Sequence, residues 1–152
     1  MKIYHPKNTL RQALIDAEPM LAQTALGRAE TGLRSIRAEC LAHLDELMKD
    51  LDPAPHGGGD PAARVAHAYE RARRMIGVGA VTDYPQLDIA ARSLCDVADG
   101  ILARAQPDWA PIRAHIDAMQ LMRLHPLPPE ATRELLDSLD ALRARFGFSA
   151  AP

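Results

Sequence analysis

Six histidines and two cysteines are the side chains of this sequence best suited to metal binding, nucleophilic catalysis or group transfer. They are His5, His43, His56, His67, His115 and His125, with Cys40 and Cys95. An imidazole serves in all three roles because it is neutral near pH 7 and keeps one nitrogen lone pair. The spacings exclude most of that chemistry. A helical di-metal centre needs Glu-x-x-His pairs on two helices, and the sequence has none. Glu39 and His43 stand four apart but fall beside the apolar positions Cys40 and Leu44, as a solvated flank. CxxCH, HExxH, GxSxG, GxGxxG and GxxxxGK[ST] are all absent. The sequence therefore predicts no metal, no cofactor and no catalytic machinery of those kinds.

A row of cations is more informative. At 100° per residue, Arg64, His67, Arg71 and Arg74 share one face of a helix, opposite Val65, Tyr69, Ala72 and Ile76. Arg73 lies at the edge of the apolar seam, and Glu70 partly neutralises the row. Such a face either meets water alone or steers an acidic partner electrostatically.

The elements that hold these residues are helices. Ala, Leu and Arg are abundant while aromatics make up only 4%, which favours helix over sheet. Asn8 is a plausible cap for a short helix to about Ala17, and Pro19 opens a long one to about Leu51. Its seam reads Leu26, Ala29, Leu33, Ile36, Cys40, Leu44, Leu47 and Leu51, with Gly27 and Gly32 weakening its first half. DPAPHGGG, Asp52 to Gly59, breaks the pattern as a flexible loop over 52–60. Asp60 and Pro61 then start a helix to about Val78, followed by the turn GVGAVTDYP. Pro85 opens the next helix, with Leu87, Ala90, Leu94, Val97 and Ile101 inward. Asp108 caps another, using Ile112, Ile116 and Met119, until HPLPP stops it. The last runs from Pro129 to Phe146 through Leu135, Leu139 and Leu142, and Gly147 ends it. Short connections between long amphipathic helices predict an all-α, up-down antiparallel four-helix bundle with extra N- and C-terminal helices, one domain over 8–147.

Composition narrows the function. The 152 residues carry 18 Lys plus Arg against 20 Asp plus Glu, a net charge of −2, with 47% hydrophobic residues. A general nucleic-acid or membrane-surface binder needs a cationic excess that is missing here. No apolar run approaches the ~20 residues of a membrane span, and the N-terminus lacks a signal-peptide core. The two separated cysteines read as buried free thiols, so a cytoplasmic location is expected.

The segment from Ala72 to Asp99, ARRMIGVGAVTDYPQLDIAARSLCDVAD, resembles the core of a histidine phosphotransfer (Hpt) domain. Within that family, PQLDIAARSLCDVAD is similar to the Hpt-like proteins of alphaproteobacterial chemotaxis clusters, the CheE group. The likeness covers Ala62 to about Leu124 and rests on Gly77, Gly79, Pro85, Leu87, Leu94 and Asp96. It implies a helical bundle that exchanges phosphate with the aspartate of a response-regulator receiver domain. With Gly77 on the family glycine, however, Arg73 occupies the phospho-accepting histidine position and Ile76 the lysine position. A guanidinium with a pKa above about 12 cannot form a phosphoramidate. The resemblance thus implies a non-catalytic protein that binds a receiver domain or a histidine kinase through Arg64, His67, Arg71, Arg73, Arg74 and Gly77.

Two alternatives remain open on the sequence. His67 is a second candidate phospho-acceptor, with Arg71 in the lysine's part and Glu70 opposing it. Nucleic-acid binding through the helices on either side of VGAVTDYP, with that stretch as the turn of a helix-turn-helix, is the weaker one. His115 lies near the Ile112 and Met119 seam as a partly buried structural residue. Trp109, Met119, Met122, Phe146 and Phe148 either form an apolar patch or complete the core, which leaves the oligomeric state open.

Overall fold

The computed structural model describes residues 19–52, 60–104 and 107–147. The expected helix at 8–17, residues 53–59 of the Pro/Gly loop, His5, His56 and Phe148 lie outside the described residues. Every regular element among the described residues is a helix, as expected. They are α1 (Pro19–Lys49), α2 (Pro61–Met75), α3 (Val78–Val81), α4 (Pro85–Leu102), α5 (Ala110–Leu124) and α6 (Pro129–Phe146). None is long and apolar enough to cross a membrane.

The chain divides into two units, residues 1–36 and 37–152. In the first, α1 carries the seam residues Leu26 and Leu33 at 63% and 66% exposure, with Ile36 at 53%. The repeat predicts burial along the whole helix, but these positions remain in water. In the second unit, Leu44, Leu47 and Leu51 of the same seam are buried. Periodicity fixes which residues share a face and is silent on whether a partner element reaches that face.

The second unit is organised around α4, which packs against α2, α5 and α6 and against the short α3. Leu87, Ala90, Leu94, Val97 and Ile101 are buried as their spacing predicts, and so are Val65, Ala72, Ile112, Ile116 and Met119. Of the expected α6 seam, only Leu139 is fully covered, while Leu135, Leu142 and Phe146 are half-buried. Asp60 caps α2 as expected, while the N-cap of α5 is Trp109 and Asp108 acts from one residue earlier. The Asp60 carboxylate accepts from Ala62 N–H at 3.1 Å, and that of Asp108 from Ala110 N–H at 2.9 Å.

The main departure lies between α2 and α4. The sequence predicts a helix to Val78 and then an irregular turn. Instead α2 stops at Met75, Gly77 takes the left-handed φ of +93°, and α3 makes one turn. Gly77 is the N-cap of α3 and has no side chain to satisfy the first N–H groups. Asp88, in the first turn of α4, does so from the neighbouring helix. One carboxylate oxygen accepts from Gly77 N–H at 3.1 Å and Gly79 N–H at 3.0 Å, and the other from Ala80 N–H at 3.2 Å. Tyr84 N–H closes the loop on Gly79 O at 2.9 Å. Gly77, Gly79 and Ala80 therefore form a backbone nest that holds an internal carboxylate.

Candidate docking site

The cations expected on one α2 face fall into two groups. Arg64, His67 and Arg71 turn toward the residues that follow α1. Arg64 donates from Nη2 to Asp52 Oδ1 at 2.7 Å, and its guanidinium lies 3.9 Å from the centre of the Trp109 ring. Arg113 of α5 reaches the other Asp52 oxygen at 3.1 Å. Arg71 pairs with Asp50 at 2.7 Å. These contacts tie α2's basic row and Arg113 of α5 to the residues just after α1. Asp52 is mostly buried, so its removal leaves two guanidiniums without their carboxylate. Asp52→Ala is expected to cost about 1–3 kcal/mol in urea unfolding, and Asp52→Asn less.

His67 belongs to the same cluster. Its Nε2 lies 2.7 Å from the Asp50 carbonyl oxygen and 3.4 Å from the Asp50 carboxylate, with the ring largely covered. To accept phosphate there, Nε2 would have to give up its backbone partner beside a carboxylate that repels the incoming anion. The phosphocarrier geometry that places Arg71 beside His67 is thus taken up by Asp50.

Arg73 and Arg74 form the other group. Both are exposed in the last turn of α2. Among the described residues Arg73 makes one ion pair, to Glu70 one turn earlier at 4.0 Å, and Arg74 makes none. Gly77 is exposed beside them, its N–H given to Asp88. Of the six residues expected to bind a partner, Arg73, Arg74 and Gly77 are therefore presented outward, while Arg64, His67 and Arg71 brace the fold.

Among the remaining candidates, His43 and His125 are exposed. No cluster of three metal-ligating side chains occurs among the described residues. Cys40 and Cys95 are free and half-buried rather than buried. Burial, followed by the nearby Asp99 carboxylate, pushes the Cys95 thiol up to about 11, so it is no nucleophile at neutral pH. Met119 and Met122 lie in the core, and Trp109 lies beneath Arg64.

One polar pair gives no sequence signal. His115 is fully buried, not partly, and its Nε2 lies 2.9 Å from Ser93 Oγ on α4. Its Nδ1 lies 2.8 Å from the Pro111 carbonyl oxygen, which can only accept. Nδ1 therefore carries the proton, Nε2 presents its lone pair, and the Ser93 hydroxyl donates to it. Burial lowers the proton affinity of this imidazole below the ordinary value of 6.5, against the opposing effect of Pro111. Ser93 sits in an apolar stretch, 22 residues from its partner, where it reads as a small core residue.

Comparison of the chain with known protein families, with curated protein sequences and with solved structures gave no match.

Proposed function

We propose that this chain is a non-catalytic Hpt-like signalling protein, a four-helix up-down bundle with added helices that docks a response-regulator receiver domain or a histidine kinase. The observation that carries this reading is the pair Arg73 and Arg74. Both are cationic and exposed at the end of α2, free of the Asp50 and Asp52 contacts that engage the rest of the row. On the Hpt likeness, Arg73 stands where a phospho-accepting histidine would, so a fixed positive charge faces the partner's acidic phosphorylation pocket. It can attract that pocket but take nothing from it. His67 supports no second reading, because its Nε2 and the adjacent Arg71 are committed to Asp50. The stretch read as the turn of a helix-turn-helix contains a four-residue helix closed onto Asp88.

Titration of the receiver domains and kinases of the source cell against the purified chain tests the proposal. One of them should bind, and Arg73→Glu/Arg74→Glu should weaken it about tenfold or more, near 1.4 kcal/mol. Raised salt should act in the same direction. Arg133→Glu on α6, compared with Arg73→Glu alone, serves as the matched single charge reversal and should leave affinity unchanged. Equal affinity in wild type and the Arg73/Arg74 variant would refute the assigned face.

A further inference from the structure

We propose that the water-exposed part of α1 pairs with the same segment of a second copy of this chain, the two helices running antiparallel about a two-fold axis between Arg34 and Ser35. The inference is independent of the docking face on α2, which uses none of these residues.

Three observations carry it. The first is the seam. Leu26, Ala29, Leu33, Ile36 and Cys40 follow one another at spacings of three and four, the repeat of a two-stranded coiled coil. The second is its exposure. Every residue from 23 to 39 is exposed, and Leu26, Leu33 and Ile36 keep more than half of their surface in water. The segment is helical all the same, although Gly27 and Gly32 both weaken it. Most helical stability comes from packing an apolar face, so this face calls for a covering helix.

The third observation is charge, and it selects the occupant. At 100° per residue, Glu30 and Arg37 flank the seam on one side, and Gly32 and Glu39 on the other. In an antiparallel pair each flank meets its own copy. Glu30 then faces the second copy's Arg37, and the two-fold axis repeats the pair. In the same register Leu33 packs on the second copy's Ile36 and Ala29 on its Cys40, while Gly32 leaves room beside its Glu39. A parallel pair would set Glu30 and Arg37 against Ala25 and Gly32, which carry no charge. The flank is therefore complementary to itself, which favours a second copy over a foreign helix. Arg37 also reaches Asp83 at 2.9 Å, and a guanidinium has donors enough for both carboxylates. The contact is isologous, so it closes at two copies. Its overlap, residues 26 to 43, is only about five turns long, so the dimer is weak and concentration-dependent.

Sedimentation of the whole chain over a wide range of concentration tests the pairing. Wild type should pass from monomer to dimer. Leu33→Glu, a change that lies in water in the monomer, should weaken the dimer at least tenfold, near 1.4 kcal/mol, and leave urea unfolding of the dilute chain unchanged. Glu30→Arg and Arg37→Glu should each weaken it about threefold, and the two together in one chain should restore it. Oxidation checks the register. Ala29→Cys should form a disulfide-linked dimer through Cys40, whereas wild type should not, because its two Cys40 thiols stand about 16 Å apart along the axis. A chain that stays monomeric at every concentration would overturn the proposal. If Leu33→Glu also destabilised that monomer, the seam would be covered from within the chain. A Cys40–Cys40 disulfide in wild type would overturn the antiparallel register.

Discussion

Gly79→Ala is expected to be among the most damaging single-methyl additions this protein can receive, lowering stability by about 3 kcal/mol. A Cβ at this position would stand 2.5 Å from Tyr84 O and 2.7 Å from Asp88 Oδ1. Neither can retreat cheaply. Tyr84 O belongs to the backbone that closes the α3 turn, and Asp88 is held there by three N–H groups. Moving the carboxylate would also uncap α3. Gly77→Ala provides the contrast. Nothing lies within 4 Å of its added methyl, so only the left-handed backbone, φ +93°, opposes it. That strain is about 1 kcal/mol. Urea midpoints of the two variants should therefore separate clearly at unchanged slope. Equal losses would mean that the carboxylate nest yields more readily than its hydrogen bonds imply.

The second large effect is the pH dependence supplied by His115. Its proton affinity is lowered in the folded state, chiefly by burial. Between the ordinary imidazole value of 6.5 and its own depressed one, the unfolded chain takes up a proton that the native chain refuses. Stability is thus fully present above pH 6.5 and is lost as the pH falls through that window, by up to about 1.4 kcal/mol per pH unit. Urea unfolding at pH 7.5, 6 and 5 should show the decline, and His115→Gln should flatten it relative to wild type. Ser93→Ala is a useful companion, because it leaves the buried Nε2 without a donor and should cost about 1–3 kcal/mol at pH 7.5. A wild-type slope identical to that of His115→Gln would show that the ring titrates normally inside the fold.

These effects lie where local sequence reading ends. Helix starts were legible because Asp60–Pro61, Pro85 and Asp108 act within a few residues of themselves. The α4 core was legible because both its flanks are covered, so every seam position is buried. The first half of α1 carries the same repeat, yet the pattern does not say that Leu26, Leu33 and Ile36 meet water. The candidate docking face was half legible for a related reason. Helical angle groups Arg64, His67 and Arg71 with Arg74, but their partners Asp50 and Asp52 precede them by a dozen residues or more, a relation the angle does not encode. Asp88 was missed because a cap is sought just before its helix, and this one arrives from the next helix along. Ser93 was missed because hydrogen-bond partners on different helices leave no trace in spacing.

The central position of α4 also bears on how the chain reaches this fold. The helix touches α2, α5 and α6; α5 follows it directly in sequence, and only the one-turn α3 separates it from α2. Most of the chain closure needed to build the second unit is therefore local. Little loop entropy must be lost before apolar contacts begin to accumulate. Such a topology belongs with proteins that fold in microseconds to milliseconds.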